Sequence, residues 1–369
     1  MSVVIQDTLV DLGTADLKTA TPLSHRNMII NGAMQVAQRG TSFTSVTSSA
    51  YHLDRFQTIL ASVGTYTITQ ETASPPAGFT SSYKIACTAG NSSNDAGDAG
   101  VLYYTFEGQD VYHLKYNSSG AVTTTLSFWV KAKETGNYQV NLVGNSRHIG
   151  ATYTISVADT WEYKTITFAG DTSGNWMSSN NTAGGRIEWW LEGGSNYVGG
   201  AVPTSWEAVS ATDRNAGQTA QKLGNDTANY WQISGIQWEK GSVATPFEHR
   251  RYAEELQNCL RYYHAPVGGG IRAVGTSSST SSFTFSYSIG TRMRDTPTLV
   301  HINSAAHRAY HSEGTGTGGF SSSTTNFTIS NMKGDIVQIN APGHSGLTDN
   351  RPYTLGMTGS YEIALSSEL

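Results

Sequence analysis

Charge is scarce in this 369-residue chain. Asp, Glu, Lys and Arg make up only 14% of it, against roughly 25% in ordinary soluble domains. The balance is slightly acidic, 23 basic against 28 acidic residues, so the chain lacks the basic footprint that nucleic-acid binding requires. Cysteine is nearly absent. Cys87 and Cys259 are too few for a disulfide framework and their spacing suits no metal motif, as expected of a chain made in a reducing cytoplasm. No run of 18 apolar residues exists, so no transmembrane helix or membrane insertion is expected. The opening MSVVIQDTLVDLG lacks the basic region and apolar core of a secretion signal. Catalytic signatures are missing too: there is no GxSxG, HExxH, P-loop or CxxC arrangement.

What is abundant is glycine (39 residues), together with Thr, Ser, Asn and Tyr. β-Branched and aromatic side chains fit pleated, half-buried surfaces, so the composition predicts an all-β protein with many turns. Residues 1–25 contain only sparse apolar positions (Val3, Val4, Ile5, Leu9, Val10) and read as an extended N-terminal arm, either a loose tail or an attachment strap. Short alternating runs follow at 64–70, 83–87, 101–106, 122–133, 138–143, 151–157, 161–169, 186–191 and 230–238, separated by Gly, Asn and Ser turns. That rhythm predicts a β-sandwich of jelly-roll type over 26–245. All eight tryptophans fall between Trp129 and Trp238, which supports one domain there. In Phe128-Trp129-Val130, alternation places Trp129 on the face opposite its neighbours, and apolar residues on both faces suggest a central strand.

The stretch Trp231–Tyr263 joins this domain to the next. Its first half alternates as a strand, broken at Gly241. A linker helix is expected within 246–264, with two starts open. Thr245, Pro246 and Glu248 suit a capping box, whereas Arg250 and Arg251 oppose the macrodipole of a first turn and favour a start near Arg251. Tyr252, Leu256, Cys259, Leu260 and Tyr263 form one apolar stripe, which either packs on the adjoining sheet or, through Tyr252, Leu256, Leu260 and Tyr263, meets copies of itself at a symmetry axis. Cys259 reads as a small buried apolar residue. Residues 265–369 carry no tryptophan and read as a C-terminal β-sandwich tip domain with a lean core. Such a domain is expected to gain stability by packing in a homotrimer.

Several of these stretches together carry a resemblance. Asn27-Met28-Ile29-Ile30-Asn31-Gly32, Asp54-Arg55-Phe56, Phe128-Trp129-Val130-Lys131-Ala132, Gly235 to Gly241 and Ala244 to Glu248 resemble carbohydrate-binding-module-like jelly rolls of bacteriophage tail fibre and other virion proteins. The helix text Ala253 to Tyr263, then Met293 to Thr298 and Ala364 to Leu369, are similar to segments found C-terminal to the jelly roll in those proteins. The resemblance implies a trimeric fibre. It also implies a structural calcium near the first strand, although Gln35 stands where Glu is common; Asp54 and Glu239 would then be the remaining oxygen ligands. No other cofactor is expected.

For chemistry, the histidines are dispersed apart from His301, His307 and His311, which read as a polar loop rather than a metal site. Glu107, Asp110, Glu162, Glu188 and Glu192 are the carboxylates from which a glycosidase pair would have to come, but spacing brings no two together, and no enzyme is expected. Aromatics are the stronger lead, because sugar rings present apolar faces that stack on Trp and Tyr. Trp189 and Trp190 are adjacent, so one must leave the inter-sheet core. Trp176, Tyr197 and Trp206 lie in turn-rich text. These five are the expected carbohydrate contacts, with capping of the sandwich or a subunit interface as the alternative. The expected function is a virion protein, a trimeric tail fibre held to other tail proteins by residues 1–25 and binding host surface polysaccharide. The alternatives are a purely structural capsid decoration or collar protein and, third, a depolymerase.

Overall fold

The computed structural model describes residues 25–91, 95–174, 179–220, 222–265, 272–301, 307–311, 320–322, 327–343, 347, 349–357 and 363–369. Residues 1–24 and Trp176 lie outside the described residues. The protein is all-β. Its first part contains β1 (Ser42–Val46), β2 (Ala50–Tyr51), β3 (Phe56–Ala61), β4 (Thr65–Glu71), β5 (Ser82–Ala89) and β6 (Ala99–Glu107). These are followed by β7 (Thr124–Ala132), β8 (Gly136–Val143), β9 (Arg147–Ile155), β10 (Glu162–Phe168), β11 (Ala183–Gly193), β12 (Glu207–Ala208) and β13 (Tyr230–Lys240). Two antiparallel sheets result, ordered β1-β4-β5-β13-β7-β10 and β12-β9-β8-β11-β6-β3-β2.

Strict alternation builds the core between them. Leu126, Phe128 and Val130 of β7 face Ile187 and Trp189 of β11, all fully buried, with the Phe128 and Trp189 rings edge to face at 6.1 Å. Burying side chains of this size contributes about 1.5–3 kcal/mol each. The strand expected to stop at Trp238 runs on to Lys240, since Glu239 and Lys240 still pair with Thr125 and Thr124 of β7, and it carries a bulge between Ser234 and Gln237, where Gly235 adopts φ +61.

The helix spans Tyr252–Leu260, with Arg251 at its N-cap. Thr245 and Glu248 do not cap it; they bond back to the sandwich instead. The stripe expected for its buried face is rotated. Tyr252 is 57% exposed, whereas Glu255 and Cys259 point inward, Glu255 accepting from the Asn31 amide and pairing with Arg250. Leu256 and Leu260 are half-buried. Tyr263 is already in the next strand, so helical spacing no longer applies to it.

The C-terminal part contains β14 (Tyr263–His264), β15 (Arg272–Ser277), β16 (Ser282–Ser288), β17 (Thr298–His301), β18 (His307–His311) and β19 (Phe320–Ser322). It ends with β20 (Thr328–Lys333), β21 (Ile336–Pro342), β22 (Pro352–Met357) and β23 (Ile363–Ser366). A small sheet β14-β23-β17 adjoins a larger one, β19-β18-β22-β15-β16-β21-β20. Phe283, Phe285, Val337, Ile339 and Tyr353 centre its core.

Most of the stretches that carry the resemblance meet at one joint between the two parts. Asn27 clamps the β13 bulge, its carboxamide bonding the Ile236 carbonyl and the Trp238 amide. The Arg55 guanidinium lies 3.4 Å from the Tyr262 ring centroid and pairs with Glu368. Arg39 stacks on Tyr263 at 3.6 Å and shares the same carboxylate at 3.1 Å. Arg261 pairs bidentately with Glu107 at 2.7 and 2.8 Å. Such buried pairs fix geometry more reliably than they add stability, since desolvation offsets much of the attraction.

Candidate functional site

The two outer faces of the sandwich have different fates. On the seven-stranded sheet, Arg186, Glu188 and Trp190 of β11 point away from the core. Residues 195–220 fold back over them as a roof. Asn141 and Gln139 of β8 donate to the carbonyls of Arg214 and Asp213, both at 2.7 Å, and the Gly217 amide bonds Gln139 at 2.8 Å. Under the roof Arg214 donates to Glu188 (Nε to Oε2, 3.0 Å) and to the Tyr103 hydroxyl (2.7 Å). Arg186 reaches Glu188 at 2.6 Å, and the Trp190 indole N–H donates to it at 3.0 Å. Burial pushes the Glu188 carboxyl up, but the flanking Arg214 and Arg186 guanidiniums win and hold it below the usual carboxylate range.

The expected sugar contacts map onto this arrangement unevenly. Trp189 is in the inter-sheet core with no exposed surface, so it has no face to offer a ligand. Trp190 and Tyr197 are brought together, rings 4.9 Å apart, but Trp190 is covered by the roof. Trp206 sits at the sandwich edge, its indole N–H bonded to the Ala169 carbonyl at 2.6 Å and its ring edge-on to Tyr116. Glu188 and Glu192 do not pair either. A bulge between Trp190 and Glu192 breaks the alternation, and Glu192 bonds the Tyr66 hydroxyl and the Gly224 amide, away from the Glu188 cluster. Asp54 and Glu239 also serve separate segments. Asp54 accepts from the Gln38 amide and side chain at 2.8 and 2.6 Å. Glu239 accepts from the Thr245 amide, the Thr245 hydroxyl and the Gln237 carboxamide at 2.8, 2.7 and 2.8 Å. Each carboxylate is engaged as a loop anchor in a different segment.

The six-stranded sheet also covers much of its outer face, where Thr125, Ser127, Lys131, Gln232 and Ser234 are buried, but it leaves a patch open at β7 and the edge strand β10. Trp129 of β7 sits opposite Tyr163 of the edge strand β10 and opposite Ser234 of β13. The Trp129 and Tyr163 rings lie 5.3 Å apart at 47°, and Tyr163 is 43% exposed. With Gly235, Ala244, Thr245, Pro246 and Phe247 they line a shallow groove of about 370 Å³. Each wall has a local cause. A Cβ on Gly235 would lie 2.6 Å from the Phe79 ring, so glycine lets Phe79 rest on the bulge and back Phe247 at 5.0 Å. Segment 244–247 is fixed by the Thr245 amide and hydroxyl on Glu239 and by the Glu248 amide, which bonds Gln237 at 2.8 Å. Farther along the face, Lys131 lies over Trp161 and Lys84 over Tyr230, at 5.0 and 5.1 Å. An apolar floor with a rim of hydroxyls, carbonyls and ammonium groups can stack a flat apolar ring face and hydrogen-bond its edges.

Sequence spacing does not single out Trp129, Tyr163 and Phe247 as contacts. Alternation alone suggests a central strand for Trp129; β7 is second from the edge and nothing covers this part of its outer face. A usable signal is present in Glu162 to Thr167, where Tyr163 shares its alternation with two threonines on a polar face.

No family model matches the chain, and no curated protein does. Solved structures with which it aligns include a putative sugar binding protein from Bacteroides thetaiotaomicron (14% identity, 58% of this chain and 100% of that one, TM-score 0.33). The CBM22-1-CBM22-2 tandem domain of Paenibacillus barcinonensis Xyn10C aligns at 11% identity over 96% of this chain and 100% of that one, TM-score 0.28. The enzymatically active domain of bacteriophage CBA120 tailspike protein 4 aligns at 13% identity and TM-score 0.29 over 58% of this chain, which spans only 21% of that chain.

Proposed function

We propose that this chain is a glycan-binding virion protein of a tailed bacteriophage, a trimeric tail fibre that attaches through residues 1–25 and meets the host surface polysaccharide through its sandwich. One observation carries the binding role: the Trp129–Tyr163 groove is an aromatic platform that stays accessible on the outer face of the six-stranded sheet, whereas Trp190 on the other sheet is buried. The virion assignment rests on the resemblance carried by the sequence, whose stretches mostly meet at the joint between sandwich, helix and C-terminal strands. A groove this shallow binds weakly, and three copies on one fibre raise its avidity by linking the sites.

The test is binding of the purified protein to host cells and to a glycan array, repeated with Trp129→Ala and Tyr163→Ala. Loss of binding in both variants with unchanged folding is the expected result. Undiminished binding would move the site elsewhere on the chain. An image of the particle with the chain on the capsid or collar would replace the fibre assignment, and a monomeric mass by sedimentation at micromolar concentration would remove the trimer.

A further inference from the structure

A second cluster, at the far edge of the roofed sheet, is built differently from the groove. His148 of β9 and Glu207 of β12 are directly opposite each other in antiparallel register. Asp213 closes the short 3₁₀ helix Ala211–Asp213 inside the roof. One ligand atom from each of the three lies within 4.8 Å of the other two, and among the described residues this is the only such group of three His, Cys, Asp or Glu side chains.

His148 supplies the independent observation. It is fully buried, and neither ring nitrogen has a hydrogen-bond partner. Its Nε2 stands 3.5 Å from Glu207 Oε1, too long for an effective hydrogen bond. Of the carboxylates that face it, Glu188 is taken by Arg186, Arg214 and Trp190, which leaves Glu207 and Asp213. Leaving a buried polar group unsatisfied costs about 1–3 kcal/mol, so such a ring calls for a ligand.

We propose that His148, Glu207 and Asp213 form a divalent-cation site of the zinc class that ties the 195–220 roof to the edge of the seven-stranded sheet. One imidazole nitrogen and two carboxylate oxygens are a zinc donor set with a fourth position open to water, whereas calcium and magnesium take oxygen-only shells of six or more ligands. The two carboxylates balance the charge of a dication. Ligands about 2.0–2.2 Å from zinc lie about 3.3–3.6 Å apart in a tetrahedron, a spacing that His148 Nε2 and Glu207 Oε1 already have at 3.5 Å, within a cluster that spans no more than 4.8 Å. The Glu207 side chain, 45% exposed, is free to swing onto the ion, while Asp213 Oδ1 is held by the Ala201 amide at 3.0 Å. Because both carboxylates belong to the segment after β11 and His148 to the sheet, the ion would act as a clasp on the roof. The glycan groove lies on the other sheet and does not depend on it.

The test is calorimetric titration of the metal-stripped full chain with Zn²⁺, with Ca²⁺ and Mg²⁺ as comparators, alongside thermal melting and the visible spectrum of the Co²⁺ form. The expected result is one Zn²⁺ per chain, a raised melting temperature and intense four-coordinate cobalt bands. Glu207→Gln, at the exposed rim where folding is not at stake, should weaken Zn²⁺ binding about tenfold or more, comparable with removing a supporting partner from a metal site. His148→Ala should abolish it. Absence of Zn²⁺ binding, preference for Ca²⁺ or Mg²⁺, or Zn²⁺ affinity unchanged in Glu207→Gln would each overturn the proposal.

Discussion

Trp190 and Trp129 occupy equivalent places on opposite sides of one sandwich, each on an outer face, each next to an aromatic partner and with cationic side chains on the same face. Trp190 has Tyr197 at 4.9 Å and Arg214 at 5.2 Å; Trp129 has Tyr163 at 5.3 Å. Their roles diverge because of what lies above them. Residues 195–220 carry polar groups that match Gln139, Asn141 and Glu188 almost one for one, so the chain itself becomes the ligand of that face. Segment 244–247 stops at the rim of the other, held there by Glu239. An aromatic on an outer sheet face is therefore a binding residue only where the fold leaves it uncovered.

The largest effect should come from beneath the roof. Glu188→Ala leaves Arg214 and Arg186 without their buried partner and should cost about 3–5 kcal/mol, read by denaturant unfolding. A loss below about 1 kcal/mol would mean that the roof is not held by this carboxylate. Next in size is Gly235→Ala, which places a side chain at φ +61 and against Phe79. A loss of about 1–3 kcal/mol is expected, together with weaker glycan binding as Phe247 shifts.

Acid should separate the two faces further. The Glu188 carboxyl is depressed in the folded protein. Its contribution is therefore complete above the unfolded value of about 4.3 and is lost as pH falls through the lower folded value. Wild type should lose stability in that window more steeply than Glu188→Gln, measured by unfolding at stepped pH; parallel curves would sink the assignment. The smallest stability effect belongs to Tyr163→Ala on the open face, within about 1 kcal/mol of wild type, while its loss of glycan binding is large. A folding defect as severe as that of Glu188→Ala would show that Tyr163 is structural and erase the contrast.

Much of the fold is legible in the sequence because β alternation is local. Runs such as Val101–Phe106 and Arg186–Leu191 announce one buried face, and their register follows from it. In the sandwich β1, β2 and β12 escape because they are short or mostly exposed, whereas β3, which also escapes, alternates in burial from Phe56 to Ala61 and is legible. Helical spacing misplaces the buried face at Tyr252 because the inward position is Glu255, a charge whose place there depends on the Asn31 amide, distant in sequence. The expected sugar contacts stand out by their loop-like surroundings, and that criterion cannot see a roof. Among the described ones, Trp190 lies beneath it against Tyr197 of the roof itself, Trp206 is bonded at the sandwich edge, and Trp189 is core.

By itself, then, the sequence determined an all-β chain, its main strands, and the alternation that sends Trp189 and Trp190 to opposite faces, since these depend on neighbours one or two residues apart. Tertiary structure alone decided which outer-face tryptophan is sealed. It also decided that Trp129, Tyr163 and Phe247 share one groove and that His148 meets Glu207 and Asp213. Each of those outcomes depends on segments tens to more than a hundred residues apart being brought into register, and no local pattern records that.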